Sequence, residues 1–73
     1  MSIGERIRMI RGDLQQREIA KKLDVHRNTY GRYETGVSIP DVETASRILA
    51  LFPDVNPLWF FTGQGEPMIT ALQ

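Results

Sequence analysis

The sequence predicts an all-α domain of five short helices. Three observations lead to that class. Apolar residues recur at helical spacing in successive segments, as with Ile3, Ile7 and Ile10, which places one stripe of a helix against a core. Capping residues and Gly or Pro stops bracket those segments. No segment finds a partner strand elsewhere in the 73-residue chain.

Each element follows in order. In "SIGERIRMIRGD", Ser2 with Glu5 three residues on fits a capping box, and Gly12 ends the helix. In "DLQQREIAKKLD", Asp13 with Gln16 repeats the capping-box pattern. That helix is expected over 14–23, with Leu14, Ile19, Ala20 and Leu23 as its buried face and Gln15, Arg17, Glu18, Lys21 and Lys22 outward. Asp24 can take the left-handed conformation that a tight turn needs. The third segment, "VHRNTYGRYE", anchors Tyr30 and Tyr33 on one side and groups Arg27, Asn28, Gly31 and Arg32 on the other. Gly36 closes it. Pro40 and Asp41 open a fourth helix with Val42, Ala45, Ile48, Leu49 and Phe52 on one face, ended by Pro53. In "NPLWFFTG", Asn56 caps, Pro57 takes the first helical position and Gly63 follows the last turn. Trp59, Phe60 and Phe61 make this fifth helix an apolar plug, most simply core. The stretch after it reads as a loosely held tail, giving a domain over 1–66 and a tail over 67–73.

Composition narrows the function. Forty-one per cent hydrophobic residues supports a compact globule rather than a disordered chain. There is no cysteine and one histidine, which removes disulfides and thiolate sites and leaves no basis for a zinc cluster. The longest apolar run, "ILALF", falls far short of a membrane span. A small cytoplasmic domain, nucleoid-associated in a bacterial cell, is the expectation. Net charge is zero, but residues 1–35 carry eight Lys/Arg against five Asp/Glu (+3), and residues 36–73 carry Arg47 against four acids (−3). Such polarity either presents a basic face to phosphates or is an accidental bias of a solvated surface. Catalysis has no candidates: no nucleophile–base pair, no carboxylate dyad in an apolar setting and no glycine-rich phosphate loop. No cofactor, metal or small-molecule substrate is expected.

A helix, a three-residue turn and a second helix with a polar front form the physical recipe of a helix-turn-helix. Ala20 is the small residue at the steep crossing, and Ile19, Leu23, Val25, Tyr30 and Tyr33 lock the pair to the core. "QREIAKKLDVHRNTYGRYETG" resembles Gln-x-x-aliphatic-Ala-x-x-aliphatic-Gly-Val followed, after a variable stretch, by aromatic-Glu-x-Gly. That is the helix-turn-helix of the Cro and lambdoid phage repressor family, also called xenobiotic-response-element-like. "IGERIRMIR" resembles the family's first helix. "IPDVETASRILALFPDVNPLWFFTGQGEPM" resembles its fourth and fifth helices with a terminal Trp-x-x-Thr-Gly-x-Gly. Residues 3–68 are covered.

The resemblance implies roles. Gln16 matches the glutamine that binds a phosphate and braces the reading helix. Arg27, Asn28 and Arg32 match base-contacting positions, while His26 and Thr29 match positions that approach the backbone or cap the helix. Gln15 and Arg17 are expected beside Gln16 at the DNA backbone. Arg11 matches a first-helix arginine that pairs with the glutamate before the closing glycine, here Glu34. The chemistry agrees: arginine can hold O6 and N7 of guanine, and asparagine N6 and N7 of adenine. Bland alternatives stand beside these roles. Arg27 and Arg32 could be ordinary solvated charges, Asn28 a local cap, His26 a cap alone and Gly31 merely tolerated. The sharper account of Gly31 is that its missing side chain lets the helix sit deeper in the groove.

Three features differ from the family pattern. Asp24 replaces the turn glycine, the "GD" link between the first two helices is about two residues short, and the "GVSIP" loop lacks basic residues. Fewer phosphate contacts and modest monomer affinity are therefore expected. The sequence thus points to a repressor of phage or prophage type that binds a palindromic double-stranded DNA operator as a homodimer. Residues around Val55–Trp59 are the candidate dimer contact. The alternative is a protein-interaction module, an antitoxin or adaptor, that keeps the fold; zero net charge and the bare loop favour it slightly, and the Arg27–Asn28–Arg32 front disfavours it.

Overall fold

The computed structural model describes residues 1–69. It contains five helices: α1 Ile3–Arg11, α2 Gln16–Leu23, α3 Arg27–Thr35, α4 Val42–Leu51 and α5 Pro57–Thr62. Among the described residues there is no strand, only one isolated antiparallel bridge between Val55 and Met68. No helix among them is long and apolar enough to cross a membrane.

The caps explain most of the boundaries. Ser2 Oγ accepts from the Glu5 amide at 3.2 Å while Glu5 Oε1 accepts from the Ser2 amide at 2.8 Å, a reciprocal capping box. Asp41 Oδ1 accepts from the Thr44 amide at 2.8 Å and Asn56 Oδ1 from the Leu58 amide at 3.1 Å. Asp24 adopts φ 58°, ψ 43° and turns the chain from α2 towards α3.

The start of α2 differs from expectation. Its capping residue is Gln15 with Glu18, not Asp13 with Gln16, and the helix begins at Gln16 rather than near Leu14. The reason lies in α1: Arg11 Nη1 donates to the Leu14 carbonyl at 2.6 Å, and the Leu14 amide to the Arg11 carbonyl at 3.2 Å. These bonds hold 11–14 as a turn, so the short link is lengthened from the front of α2. Leu14, expected inside, is consequently 37% exposed.

The core gathers Ile7, Ile10, Ile19, Ala20, Leu23, Tyr30, Tyr33, Ala45, Ile48, Val55, Trp59 and Phe60. Ile3, Val25, Leu49 and Phe52 pack against it half-buried, and two more expected core residues lie further out. Val42, at the first turn of α4, is 78% exposed, and Phe61 is 47% exposed. Phe61 instead stacks edge-on against Phe60, with ring centroids 5.1 Å apart. The candidate dimer contact is also altered, because Val55 and Trp59 are buried and only Pro57 and Leu58 between them are exposed.

Two contacts fix α1, one against α3 and one against α5. α1 meets α3 so closely that a Cβ on Gly4 would lie 2.4 Å from the Tyr33 carbonyl oxygen, a distance no side chain tolerates. Arg6, counted above with the basic half, is buried. Its Nε donates to the Phe60 carbonyl at 2.9 Å, Nη2 to the Phe61 carbonyl at 3.4 Å, and Nη1 to the Met1 carbonyl. The guanidinium thus meets the carbonyls near the α5 C-terminus, where the helix dipole is negative. After α5 the chain returns. Asn56 N donates to Pro67 O at 2.9 Å, Asn56 Nδ2 to Glu66 O at 3.0 Å and Ile69 N to Asp54 O at 2.7 Å. The stretch expected as a loose tail is therefore tied back as far as Ile69; positions 70–73 lie outside the described residues.

Candidate nucleic-acid interface

α3 is positioned by one side and leaves the other free. Tyr30, Tyr33 and Glu34 are buried, whereas Arg27, Asn28, Arg32 and Thr35 are exposed with Gly31 between them. The helical period produces this division: positions 27, 28, 31, 32 and 35 share one face. Its N-terminus is capped by His26, whose Nδ1 accepts from the Asn28 amide at 3.0 Å. An accepting Nδ1 carries no proton, so in the neutral ring the N–H is on Nε2.

Two concavities adjoin on this side of the molecule. One is lined by Gln16, Arg27, Asn28, Gly31, Arg32 and Thr35. The other is lined by Arg11, Gln15, Gln16, Arg17 and Arg27. Gln16 and Arg27 belong to both, so the front of α3 and the start of α2 make one surface. No carboxylate lines either concavity. Arg17 and Arg27 therefore supply positive charge without a counter-ion in the lining, beside the amide groups at the α2 N-terminus.

Behind this surface sits a polar node. Arg11 Nε donates to Glu34 Oε2 at 2.6 Å and Arg11 Nη2 to Glu34 Oε1 at 3.2 Å, a two-pronged pair. Gln16 Nε2 donates to the same Oε1 at 3.0 Å. One carboxylate thus joins α1, α2 and α3. Burial pushes the Glu34 carboxyl up, but the groups around it, led by Arg11, outweigh burial and hold it below its ordinary value. The Glu34 hydrogen bond raises Arg11 in turn. Burial raises the Tyr30 phenol, and Glu34 adds to the rise. The wholly buried Tyr30 hydroxyl faces this node but makes no hydrogen bond of good geometry.

The sequence-derived candidates fall into distinct places. Arg27, Asn28 and Arg32 share one concavity, and Gln15, Gln16 and Arg17 line its neighbour. His26 lies at the exposed front of α3, and Thr29, half-buried, lines neither concavity. Arg11 is directed into the Glu34 node. Thr35 was not anticipated, although counting four residues on from Gly31 would have found it. The resemblance implied that Gln16 braces the reading helix, and the structure gives the brace its partner, the Glu34 carboxylate. Among the described residues no cluster of three or more His, Cys, Asp or Glu is arranged to hold a metal ion.

Residues 5–60 match the family described as helix-turn-helix, a DNA-binding regulatory family. No curated protein and no solved structure matches the chain.

Proposed function

We infer that this chain, which belongs to the helix-turn-helix family, is a sequence-specific transcription regulator of the phage-repressor type. It places α3 in the major groove of a palindromic operator and acts as a homodimer. One observation carries this: the exposed front of α3 and the start of α2 form a continuous, carboxylate-free surface around Arg27, Asn28, Arg32, Gln16 and Arg17. Arg27 and Arg32 take guanine edges and Asn28 an adenine edge, each such pair discriminating by ~1–3 kcal/mol. Gln15, Gln16, Arg17, His26 and Thr29 contact the backbone, which positions the protein without specifying sequence. Arg11 and Glu34 hold the two helices in register. The dimer contact is Leu58 and Phe61, the large apolar residues of α5 that the fold leaves outside. Two-fold symmetry then sets half-sites ~34 Å apart.

A second reading, a protein-interaction module, is favoured by Val37, Ile39 and Val42, three exposed apolar residues in the loop after α3 and the first turn of α4. Fluorescence titration against a randomised duplex pool at two salt concentrations separates the two. A regulator enriches a consensus and loses affinity gradually with salt. Binding that selects nothing and vanishes at moderate salt overturns the inference. Sedimentation of Phe61→Lys with and without the enriched duplex tests the dimer: the variant is expected to stay monomeric while folding normally.

A further inference from the structure

Six glycines occur in the chain, and five have a reason within the fold. Gly12, Gly36, Gly63 and Gly65 adopt positive φ, and Gly4 lies against the α3 backbone. Gly31 has neither reason. It sits in the middle of α3, and a Cβ built there would meet only Gln16 Oε1, at an ordinary 3.7 Å. Glycine in a helix interior is destabilising by about 1 kcal/mol relative to alanine. The protein's own packing does not require that cost, which points outward.

What lies outward is a notch. Gly31 lines the concavity with Arg27 and Asn28 one turn before it, Arg32 beside it and Thr35 one turn after it. Thr35 Oγ1 donates to the Arg32 carbonyl at 3.3 Å. Its hydroxyl proton is thus directed to the helix itself, and what Thr35 retains for a ligand is its methyl group and an acceptor lone pair. The floor of the notch is the bare helix at Gly31, bordered by Gln16 Oε1 at 3.7 Å from a Cβ built there; one wall is a threonine, and the rim is polar and cationic. The apolar group that DNA projects into the major groove is the thymine C5-methyl, which pairs with small apolar surfaces such as the threonine methyl.

We propose that Gly31 and Thr35 form a seat for one thymine methyl per half-site, making them specificity-determining residues that add to the polar contacts of Arg27, Asn28 and Arg32. The seat rests on the DNA-binding reading above, and it makes a prediction that reading does not make alone. Replacing thymine by uracil removes the methyl and changes no Watson–Crick partner.

The test uses the full chain and the duplex enriched from a random pool, resynthesised with deoxyuridine in place of each thymine in turn. One thymine in each half-site is expected to be methyl-sensitive. Its replacement should weaken binding about fourfold, the burial of one methyl group (~0.8 kcal/mol) converted at ~1.4 kcal/mol per tenfold. Thr35→Ser keeps the hydroxyl and removes the methyl, and Gly31→Ala fills the floor. Both variants should bind the thymine and uracil duplexes alike. Gly31→Ala should also melt higher, so a loss of discrimination there cannot come from poor folding. A consensus with no methyl-sensitive thymine, or a sensitivity that both variants retain, overturns the seat and leaves the regulator reading intact. A pool that yields no consensus overturns both.

Discussion

Gln16 at the start of α2 donates from Nε2 to Glu34 Oε1 near the end of α3, at 3.0 Å. The same carboxylate accepts two hydrogen bonds from Arg11 on α1. The two helices of the helix-turn-helix are therefore joined at a point away from their turn, and the joint lies directly behind the residues proposed to meet DNA. A phosphate contact by Gln16 would use the second Nε2–H of an amide whose orientation Glu34 already sets.

This joint makes stability depend on acid in a defined direction. The Glu34 carboxyl is held below its ordinary value in the folded chain, so its contribution is fully present above the unfolded value, about 4.3, and is lost as pH falls through the lower folded value. Glu34→Gln should melt lower than the parent at pH 7, and the gap should narrow between pH 4.5 and pH 3. The caps Glu5 and Asp41 are likewise lowered, so both proteins lose stability in acid; the narrowing is the signature. Parallel curves would remove Glu34 as the cause.

The roles of Gln16 and Arg27 separate in binding assays. Arg27→Ala should relax preference at one base position by about 1–3 kcal/mol. Gln16→Ala should weaken all sequences alike and reduce the salt dependence little, since it removes no charge. Selection from a random pool with each variant checks this, and the reversed pattern would exchange the two assignments.

His26 caps α3 through Nδ1, and His26→Ala should lower stability by about 1 kcal/mol, measured by urea titration. His26→Ser should restore most of the loss, because a serine hydroxyl can accept from the same amide region. A backbone contact by His26 would show separately, as weaker binding of the serine variant to every duplex. If serine fails to recover stability, the cap is not what His26 contributes.

Arg6 is the buried cation of the fold, held by carbonyls near the end of α5 and by Met1. Arg6→Lys preserves charge but replaces a planar fork with a single ammonium that cannot reach three carbonyls. A destabilisation of about 1–3 kcal/mol is expected from the unsatisfied carbonyls. A change within about 0.5 kcal/mol, typical of a surface substitution, would mean that water replaces the guanidinium without cost.

The candidate site was legible in part. Arg27, Asn28 and Arg32 come together because a helix repeats its face every three to four residues, and that arithmetic needs no tertiary information. The same arithmetic extends to Thr35, four residues on from Gly31 on the same face. The node behind the site was legible in its Arg11–Glu34 half. Gln16 was legible as a brace of the reading helix but not as a partner of Glu34, because nothing local in "DLQQRE" decides whether the helix starts at 14 or 16.

What the sequence alone determined about this protein is the set of helices and most of their ends. Ser2 with Glu5, Asp24, Asp41, Asn56 with Pro57, and the closing Gly36 and Gly63 act within four residues of themselves, so their effect survives in any context. Tertiary structure decided the rest. It buried Arg6 against carbonyls 54 and 55 residues away and drew the Gln16 amide onto the Glu34 carboxylate across 18. It also left Leu14, Val42 and Phe61 outside the core. Residues so distant in the chain meet only once the helices have packed, and a helical stripe marks which side is apolar without saying how much of that side its neighbours will cover.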